Sequence, residues 1–131
     1  MNDVSAELTI LVWSVILTFA LILVPATQSV LNNGLKVMAG PRDNVPEPGV
    51  VNKRLRRLAA NMIENMVLFV PLVLAAAVAG VSNQWTVLGC QLFLGGRIVH
   101  AIVYAFGVPW IRPVFWAVAV AGMGMIAVQL L

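Results

Sequence analysis

The sequence predicts an all-α integral membrane protein, a bundle of four transmembrane helices. The chain has 131 residues, of which 61% are hydrophobic and only 10% are charged. Its apolar residues gather in four runs, each close to the roughly 20 residues that a helix needs to cross a bilayer. A water-soluble domain of this length has too much surface for its volume to bury such a composition. A bilayer removes that difficulty, because the helices can expose apolar side chains to lipid.

The four spans account for the chain as one membrane domain, residues 1–131. We place the spans at about residues 8–31, 54–81, 85–106 and 112–131. The longest connection, residues 36–52, is rich in proline and glycine and therefore favours turns. Pro25 and Pro71 fall inside spans, where a local bend or a neighbouring helix must accommodate them. No stretch is left over for a soluble domain.

Lysine and arginine are distributed unevenly between the two ends of the predicted bundle. Six of the eight flank the first connection, and Arg112 flanks the third. The six are Lys36, Arg42, Lys53, Arg54, Arg56 and Arg57. By the positive-inside rule we expect both termini to be extracytoplasmic and the loop over residues 36–53 to be cytoplasmic. The basic residues follow the membrane surface instead of forming a groove-binding patch, so no nucleic-acid partner is expected.

Two spans carry polar side chains at helical spacing. Arg57, Asn61 and Glu64 in the second span are spaced i, i+4, i+7 and therefore share one face of a helix. Arg97, His100 and Tyr104 in the third span are spaced i, i+3, i+7 and form a second stripe. An ionisable side chain at membrane depth costs at least about 2.5 kcal/mol, so such residues indicate a functional site.

The two stripes are expected to meet at one end of the bundle. The second span leaves the cytoplasmic side and the third returns to it, so both stripes lie in the cytoplasmic leaflet. Arg112 opens the fourth span at the same end. The sequence shows no comparable set at the other end. Cys90 is the only cysteine, so neither an intramolecular disulfide nor a metal site is expected.

The residue types in this set favour a small zwitterionic ligand. Arginines hold carboxylates through paired charge-assisted hydrogen bonds, and a carboxylate such as Glu64 suits an ammonium group. A ligand with more than one carboxylate fits, bound where an apolar co-substrate can arrive from lipid. Glutathione is such a molecule, although the residues alone do not single it out. A bland alternative also stands: Glu64 and Arg97 could form a structural ion pair that fixes helix register.

Two motifs resemble those of a known family. The segment Arg57-Leu58-Ala59-Ala60-Asn61-Met62-Ile63-Glu64-Asn65, continuing to Phe69-Val70-Pro71-Leu72, is similar to the second-helix signature of the MAPEG family, the membrane-associated proteins of eicosanoid and glutathione metabolism. Arg97-Ile98-Val99-His100, followed by Tyr104 and Arg112, resembles its third- and fourth-helix signature. Span number and loop placement agree over the whole chain.

The resemblance implies a homotrimer that binds glutathione, as co-substrate, between neighbouring subunits near the cytoplasmic face. It implies that glutathione is bound or supported by Arg57, Asn61, Glu64, Arg97, His100 and Tyr104. It also implies that Arg112 is the catalytic arginine, which stabilises the glutathione thiolate. The thiolate would then attack a lipophilic electrophile or a lipid hydroperoxide delivered from the membrane lipid.

The sequence departs from the eicosanoid-forming members at two positions. Asn65 and Trp116 stand where some of those members have tyrosine, so a general glutathione transferase, with glutathione peroxidase activity as a second reaction, fits better than a dedicated eicosanoid synthase. Two other functions stay open. The family includes a non-catalytic lipid-binding protein, and small multidrug transporters also have four short spans, although their essential carboxylate would be expected to stand alone.

The charge asymmetry generates the first testable prediction. A cysteine introduced at Pro46, in a variant that lacks Cys90, should react with a membrane-impermeant maleimide only after the cytoplasmic side of the membrane is opened. A cysteine introduced in the segment Ser82-Asn83-Gln84 should react from outside. Labelling of position 46 in intact cells would contradict the orientation.

Overall fold

The computed structural model describes residues 3–131 and is helical almost throughout. Its helices are α1 (Ala6–Asn33), α2 (Leu35–Ala39), α3 (Val50–Ala79), α4 (Gln84–Ala105) and α5 (Ile111–Leu130). Four of them, all but the short α2, are long and apolar enough to cross a membrane. No strand occurs among the described residues. The predicted fold class, an all-α bundle of four transmembrane helices, is therefore confirmed.

The helix bounds differ from the expected spans by one to four residues. The largest difference is at α3, which begins at Val50, directly after Gly49, so the basic run over residues 53–57 is already helical. A helix can extend beyond the apolar core because its backbone hydrogen bonds stay satisfied in the interface. The expected loop is likewise shortened at its start, where α2 forms a helical turn beyond Gly34.

Local sequence signals begin and end the helices. The Ser5 hydroxyl accepts a hydrogen bond from the backbone N–H of Leu8 and caps α1. Asn83 and Thr86 form a reciprocal capping box at the start of α4. Gly80 ends α3 in the left-handed region, with φ 70°, which glycine adopts without strain.

Helices α4 and α5 pack with their backbones in contact. A Cβ atom on Gly89 would lie 2.6 Å from the carbonyl oxygen of Gly122, and one on Gly96 would lie 2.9 Å from that of Phe115. Glycine is therefore required at these crossings, as is common between membrane helices. Helix α3 packs on α4 through Phe69 and Phe93, whose rings stack with centroids 3.8 Å apart.

Polar contacts tie α1 to the bundle at both ends. At the end that carries residues 34–49, named the loop end, Asn52 Nδ2 donates to the carbonyl oxygen of Pro25 over 3.1 Å, and Arg56 Nη2 donates to Ser29 Oγ over 2.7 Å. At the opposite end the buried carboxylate of Glu7 accepts from Thr86 Oγ1 over 2.6 Å.

The Glu7 contacts were not expected from the sequence. Ser82 Oγ donates to the same oxygen, Oε1, over 2.8 Å, so the opposite end of the bundle also holds an ionisable group. Its partners, Ser82 and Thr86, belong to the turn and the first residues of α4. The cluster therefore fastens the beginning of α1 to that turn.

A glycine comparison tests the packing of α5. Gly122→Ala should lower the free energy of unfolding by about 1–3 kcal/mol, because the added Cβ would meet the carbonyl oxygen of Gly89 and the backbone nitrogen of Phe93. Gly124→Ala is the control, since a Cβ there has no neighbour within 4 Å. The control should be neutral or stabilising by up to about 1 kcal/mol. Both can be measured by reversible unfolding in mixed detergent micelles, and equal effects would contradict the close α4–α5 contact.

Candidate functional site

A polar cleft opens at the loop end between α3, α4 and α5. Its volume is about 520 Å³, within the range of about 300–1,000 Å³ typical of small-molecule sites. It is lined by Arg57, Ala60, Asn61, Glu64, His100, Tyr104, Arg112, Pro113 and Trp116. The fold thus brings together six of the seven side chains that the sequence singled out. The seventh, Arg97, lies behind the lining.

The stripe on α3 reaches the cleft because the other face of that helix is buried. Leu58, Met62 and Phe69 have at most 1% of their surface exposed and pack in the core. The helical period then turns Arg57 and Glu64 outward, and both are exposed. One wall of the cleft is therefore fixed by the packing of α3.

Arg97 lies behind that wall and contacts one of its residues, Asn61. It is 1% exposed, and its Nη1 donates to Asn61 Oδ1 over 2.9 Å. Its Nε contacts the sulfur of Met62 at 3.3 Å. Because the amide oxygen of Asn61 is engaged in this way, its Nδ2 is the atom left to donate to a ligand. Arg97 is thus placed to orient Asn61, whereas we expected it with the other side chains of the site.

The alternative ion pair between Glu64 and Arg97 does not form. Within residues 3–131, the ion pair whose nitrogen and oxygen atoms lie within 4.0 Å of each other joins Lys53 to Glu47, and both residues are at the surface. Arg97 instead bonds to neutral groups. The carboxylate of Glu64 is exposed, and the structural alternative for this residue is therefore wrong.

His100, Tyr104 and Arg112 form the opposite wall. The guanidinium carbon of Arg112 lies 4.9 Å from the centroid of the Tyr104 ring, a cation–π contact between α4 and the first turn of α5. The His100 ring is 5.8 Å from that of Tyr104. Arg112 is exposed in other directions, so its guanidinium can also contact a ligand.

Two buried polar atoms at the site lack a hydrogen-bond partner. Among the buried side-chain nitrogen and oxygen atoms in the part of the chain that the structure describes, those without a partner are Arg97 Nη2 and His100 Nδ1. Folded proteins rarely leave such atoms unsatisfied outside functional regions. His100 lines the cleft and Arg97 lies behind its wall, so both atoms are adjacent to the candidate site.

A second chamber of about 470 Å³ adjoins the cleft at the loop end. The two share four lining residues, Arg57, Tyr104, Arg112 and Pro113. The outer chamber is also lined by Arg54 and by the turn that includes Trp110. Neither was a predicted site residue, and Arg54 was counted only among the basic residues that indicate the orientation in the membrane.

Arg54 contacts that turn directly. Its Nη1 approaches the carbonyl oxygen of Ala105 at 3.4 Å, and a Cβ on Gly107 would lie 2.9 Å from the same nitrogen. Gly107 has φ 70°, so glycine satisfies both the backbone conformation and the close approach. The glycine in the turn is the sequence signal that could have pointed to Arg54, but only the structure pairs the two residues.

Metal chemistry has no obvious ligands here. Among residues 3–131, no group of three or more histidine, cysteine, aspartate or glutamate side chains is close enough to hold a metal ion. The site's donors are guanidinium, amide, imidazole and phenol groups, which suit an organic anion better than a cation.

Residues 8–131 match the sequence model of the MAPEG family. The chain belongs to the MAPEG family. That family includes glutathione transferases and related proteins, among them non-enzymatic members. No curated protein and no solved structure matches the chain. Membership agrees with four membrane-crossing helices and with the polar cleft at the loop end.

The two glutamates in apolar segments should differ in their effect on stability. Glu7→Ala should lower the free energy of unfolding by about 1.5–3 kcal/mol, because it removes an acceptor of hydrogen bonds from Thr86 and Ser82. Glu64→Ala should change it by less than about 0.5 kcal/mol, as is usual for exposed sites. Unfolding in detergent micelles measures the free energy of unfolding of both variants. If Glu64→Ala were as unstable as Glu7→Ala, Glu64 would have a structural role.

Proposed function

We propose that this MAPEG protein is a membrane-bound glutathione transferase that joins the glutathione thiolate to lipophilic electrophiles. The observation that carries the proposal is the convergence of six polar side chains from three helices on one cleft of about 520 Å³. These side chains have the chemistry that glutathione requires. The match of residues 8–131 to the family independently supports glutathione as the ligand class.

Several parts of glutathione have complementary groups in the cleft. Glu64 suits the ammonium group, and Arg57 suits a carboxylate through two parallel hydrogen bonds. Asn61 Nδ2 can donate to an amide carbonyl, because Arg97 occupies the amide oxygen of Asn61. His100 and Tyr104 add further hydrogen-bonding groups at the opposite wall. Arg97 acts through Asn61, so we assign it a positioning role.

Arg112 is proposed to promote ionisation of the thiol. A free thiol has a pKa near 8.5, so at neutral pH it needs nearby positive charge to ionise. Arg112 brings a guanidinium, and its place in the first turn of α5 adds the positive end of the helix dipole. The contact with Tyr104 holds the guanidinium at the edge of the cleft. Both effects stabilise the thiolate relative to the thiol.

The reaction then proceeds by nucleophilic attack. With an α,β-unsaturated carbonyl compound, the sulfur forms a bond to the β-carbon, the π bond breaks, and a proton from water is added to the α-carbon. With an activated aryl halide, the carbon–halogen bond breaks and halide leaves. With a lipid hydroperoxide, the sulfur takes the terminal oxygen and releases the alcohol, and a second glutathione then yields the disulfide and water. The last reaction is the proposed peroxidase activity.

Assembly and orientation form part of the same proposal. We propose a homotrimer with glutathione between subunits, with both termini extracytoplasmic and the loop over residues 36–53 cytoplasmic. The trimer is implied by the family resemblance, and the exposed positions of Arg57 and Glu64 are compatible with a neighbouring subunit beside the cleft. The orientation is supported by the lysine and arginine asymmetry.

Two other functions would use the same fold. A non-catalytic lipid-binding protein would not need a guanidinium beside a bound thiol. A small transporter would be expected to keep an isolated carboxylate, whereas Glu64 shares its cleft with Arg57 and Asn61. Binding of glutathione separates the transferase from both, and formation of a conjugate separates it from a protein that only binds.

Arg112 provides the decisive test of the mechanism. The purified wild-type protein should show the ultraviolet difference absorbance of a thiolate when glutathione is added at neutral pH, and it should conjugate a model aryl halide. Arg112→Ala should lose the thiolate signal and lower turnover on the order of 10²–10³-fold, the usual cost of removing one preorganised charge-stabilising group. Glutathione affinity should fall much less.

A second substitution and the glutathione-binding result make the test specific. Arg112→Lys should be intermediate, because it keeps a charge but loses the planar fork. An unchanged thiolate signal in Arg112→Ala, with conjugation intact, would move the role to Tyr104 or His100. Absence of glutathione binding by the wild type would reject the transferase proposal as a whole.

A further inference from the structure

A separate polar pocket, here named the loop pocket, lies under the loop over residues 40–49. Its volume is about 340 Å³. It is enclosed by the last turns of α1, by the loop and by the first two turns of α3. It shares no lining residue with the cleft assigned to glutathione, which is named the inner cleft. The proposed transferase reaction therefore makes no use of this pocket.

The first of two arginines in the loop pocket is held in a fixed orientation. Arg56 Nε donates to Asn52 Oδ1 over 2.7 Å, and its Nη2 donates to Ser29 Oγ over 2.7 Å. Both acceptors belong to buried residues, which are 3% and 5% exposed. A guanidinium has five N–H donors, and two of those of Arg56 are engaged, so three remain for a ligand.

The second arginine, Arg42, lies in the loop. Its Nε donates to the carbonyl oxygen of Met38 over 2.6 Å, and its two terminal nitrogens have no acceptor among residues 3–131. Arg42 has φ 63°, a conformation that costs free energy for a residue other than glycine and that often accompanies a binding role. The acidic residue in the lining, Glu47, is already paired with Lys53 at 3.0 Å. The pocket therefore keeps two uncompensated positive charges.

The loop pocket continues into an apolar groove between α1 and α3, here named the α1–α3 groove. The groove has a volume of about 350 Å³ and shares Met38, Arg42 and Arg56 with the pocket. Apart from the two arginines, every residue that lines the groove is apolar. The guanidinium groups therefore stand where a polar pocket meets an apolar channel.

The groove exists because small side chains face each other across the two helices. Ala26 on α1 and Ala59 and Ala60 on α3 line it. Along α1 it extends from Val30 to Ile22, which is about 12 Å at about 1.5 Å per residue. Its direction follows the helices, from the membrane surface toward the hydrocarbon core. That is the direction of an acyl chain in a bilayer.

We propose that the loop pocket and the α1–α3 groove together bind one anionic phospholipid. The phosphodiester lies between Arg42 and Arg56, and one acyl chain follows the groove. Guanidinium groups hold phosphate oxygens through paired charge-assisted hydrogen bonds, and basic pockets between membrane helices on the cytoplasmic side suit anionic headgroups. The loop end is expected to face that side.

The charge and the polar lining favour a glycerol headgroup over choline or ethanolamine. A cationic headgroup would need a carboxylate, and that of Glu47 is engaged by Lys53. The amides of Asn32 and Asn33 line the pocket and can exchange hydrogen bonds with the hydroxyls of a glycerol headgroup. Phosphatidylglycerol combines these features, with one negative charge and two hydroxyls, and is the probe of the site.

The lipid site is a neighbour of the inner cleft and is chemically independent of it. Ala60 lines both the groove and the inner cleft, and no other residue does so. An acyl chain in the groove would therefore pack beside the wall that carries Asn61. None of the polar side chains assigned to glutathione is needed to hold the lipid, so the proposal stands or falls separately from the transferase function.

The experiment titrates the purified protein, in neutral detergent and without glutathione, with phosphatidylglycerol or with phosphatidylcholine of the same acyl chains. Native mass spectrometry counts the lipids bound per chain. The wild type should bind phosphatidylglycerol about tenfold or more tightly than phosphatidylcholine. Arg42→Asn should remove that preference, since charge-assisted hydrogen bonds are lost while asparagine tolerates the left-handed backbone. Lys36→Gln is the control, because it removes one positive charge from the loop end outside the site and should keep the preference.

A second pair of variants tests the groove. Ala26→Leu fills it and should weaken binding of phosphatidylglycerol about tenfold or more. Ala20→Leu adds the same side chain at an exposed position of α1 outside the groove and should have no effect. Glycerophosphoglycerol, the headgroup without acyl chains, should bind much more weakly than the lipid. If it bound as tightly, the pocket would be a site for a soluble phosphate compound and the proposal would be overturned.

Two other results would reject the lipid site. Equal affinity of the wild type for the two lipids would show that the arginines do not select an anionic headgroup. If phosphatidylglycerol bound only to dissociated chains, and Ala26→Leu broke the oligomer, the groove would be covered by a second copy of the chain. Because no glutathione is present, failure of the transferase proposal would leave each of these results unchanged.

Discussion

The close contact between α4 and α5 is the constraint on which the site depends. Gly89 and Gly122 let the two backbones touch, and Gly96 allows a second approach near Phe115. Because α5 is pressed against α4 along this line, its first turn begins beside Tyr104, and Arg112 can contact that ring. A side chain at any of these three glycines would push α5 away from α4. The catalytic geometry proposed for Arg112 is therefore set by residues one to three turns deeper in the membrane.

The second constraint is the buried guanidinium of Arg97. Inserting an arginine at membrane depth costs about 2.5 kcal/mol or more, and one charged hydrogen bond returns about 1.5–3 kcal/mol. The bond to Asn61 is therefore of the same size as the cost, so the buried guanidinium adds little net stability, and Nη2 remains without a partner. Apolar residues in place of both Arg97 and Asn61 would make a junction between α3 and α4 of similar or greater stability. The retained charge is explained if the positively charged environment and the fixed orientation of Asn61 serve ligand binding.

The fold and most of the site could be predicted from the sequence because both follow from helical periodicity. Arg57, Asn61 and Glu64 share a helix face at any rotation of that helix, and apolar run length fixes the number of spans. Contacts between distant segments could not be predicted in this way. The partner of Arg97 turned out to be Asn61 and not Glu64, because the choice depends on helix rotation and depth. Glu7 was overlooked for a related reason.

The hydrogen-bond partners of Glu7, which are Thr86 and Ser82, lie 79 and 75 positions away along the chain. No local sequence pattern links them to an acidic residue in the first turn of α1. Arg54 shows the same limit at the loop end. A basic residue beside a membrane span reads as a topology signal, and its position beneath Gly107 emerges only when the α4–α5 turn folds over α3. Sequence patterns therefore identify which face of a helix is polar, whereas the packing decides which polar groups on different helices meet.

Charge balance links these features to the chemistry. Three guanidinium groups, those of Arg57, Arg97 and Arg112, stand against the single carboxylate of Glu64, which leaves two positive charges at the inner cleft. Glutathione with a neutral thiol carries two carboxylates and one ammonium group, a net charge of one negative. Ionisation of the thiol raises this to two negative charges, which matches the site. In a low-dielectric region such a match is worth more than in water, so in the proposed mechanism the cleft as a whole, and not Arg112 alone, would favour the thiolate. Arg54 is an additional cation outside this balance.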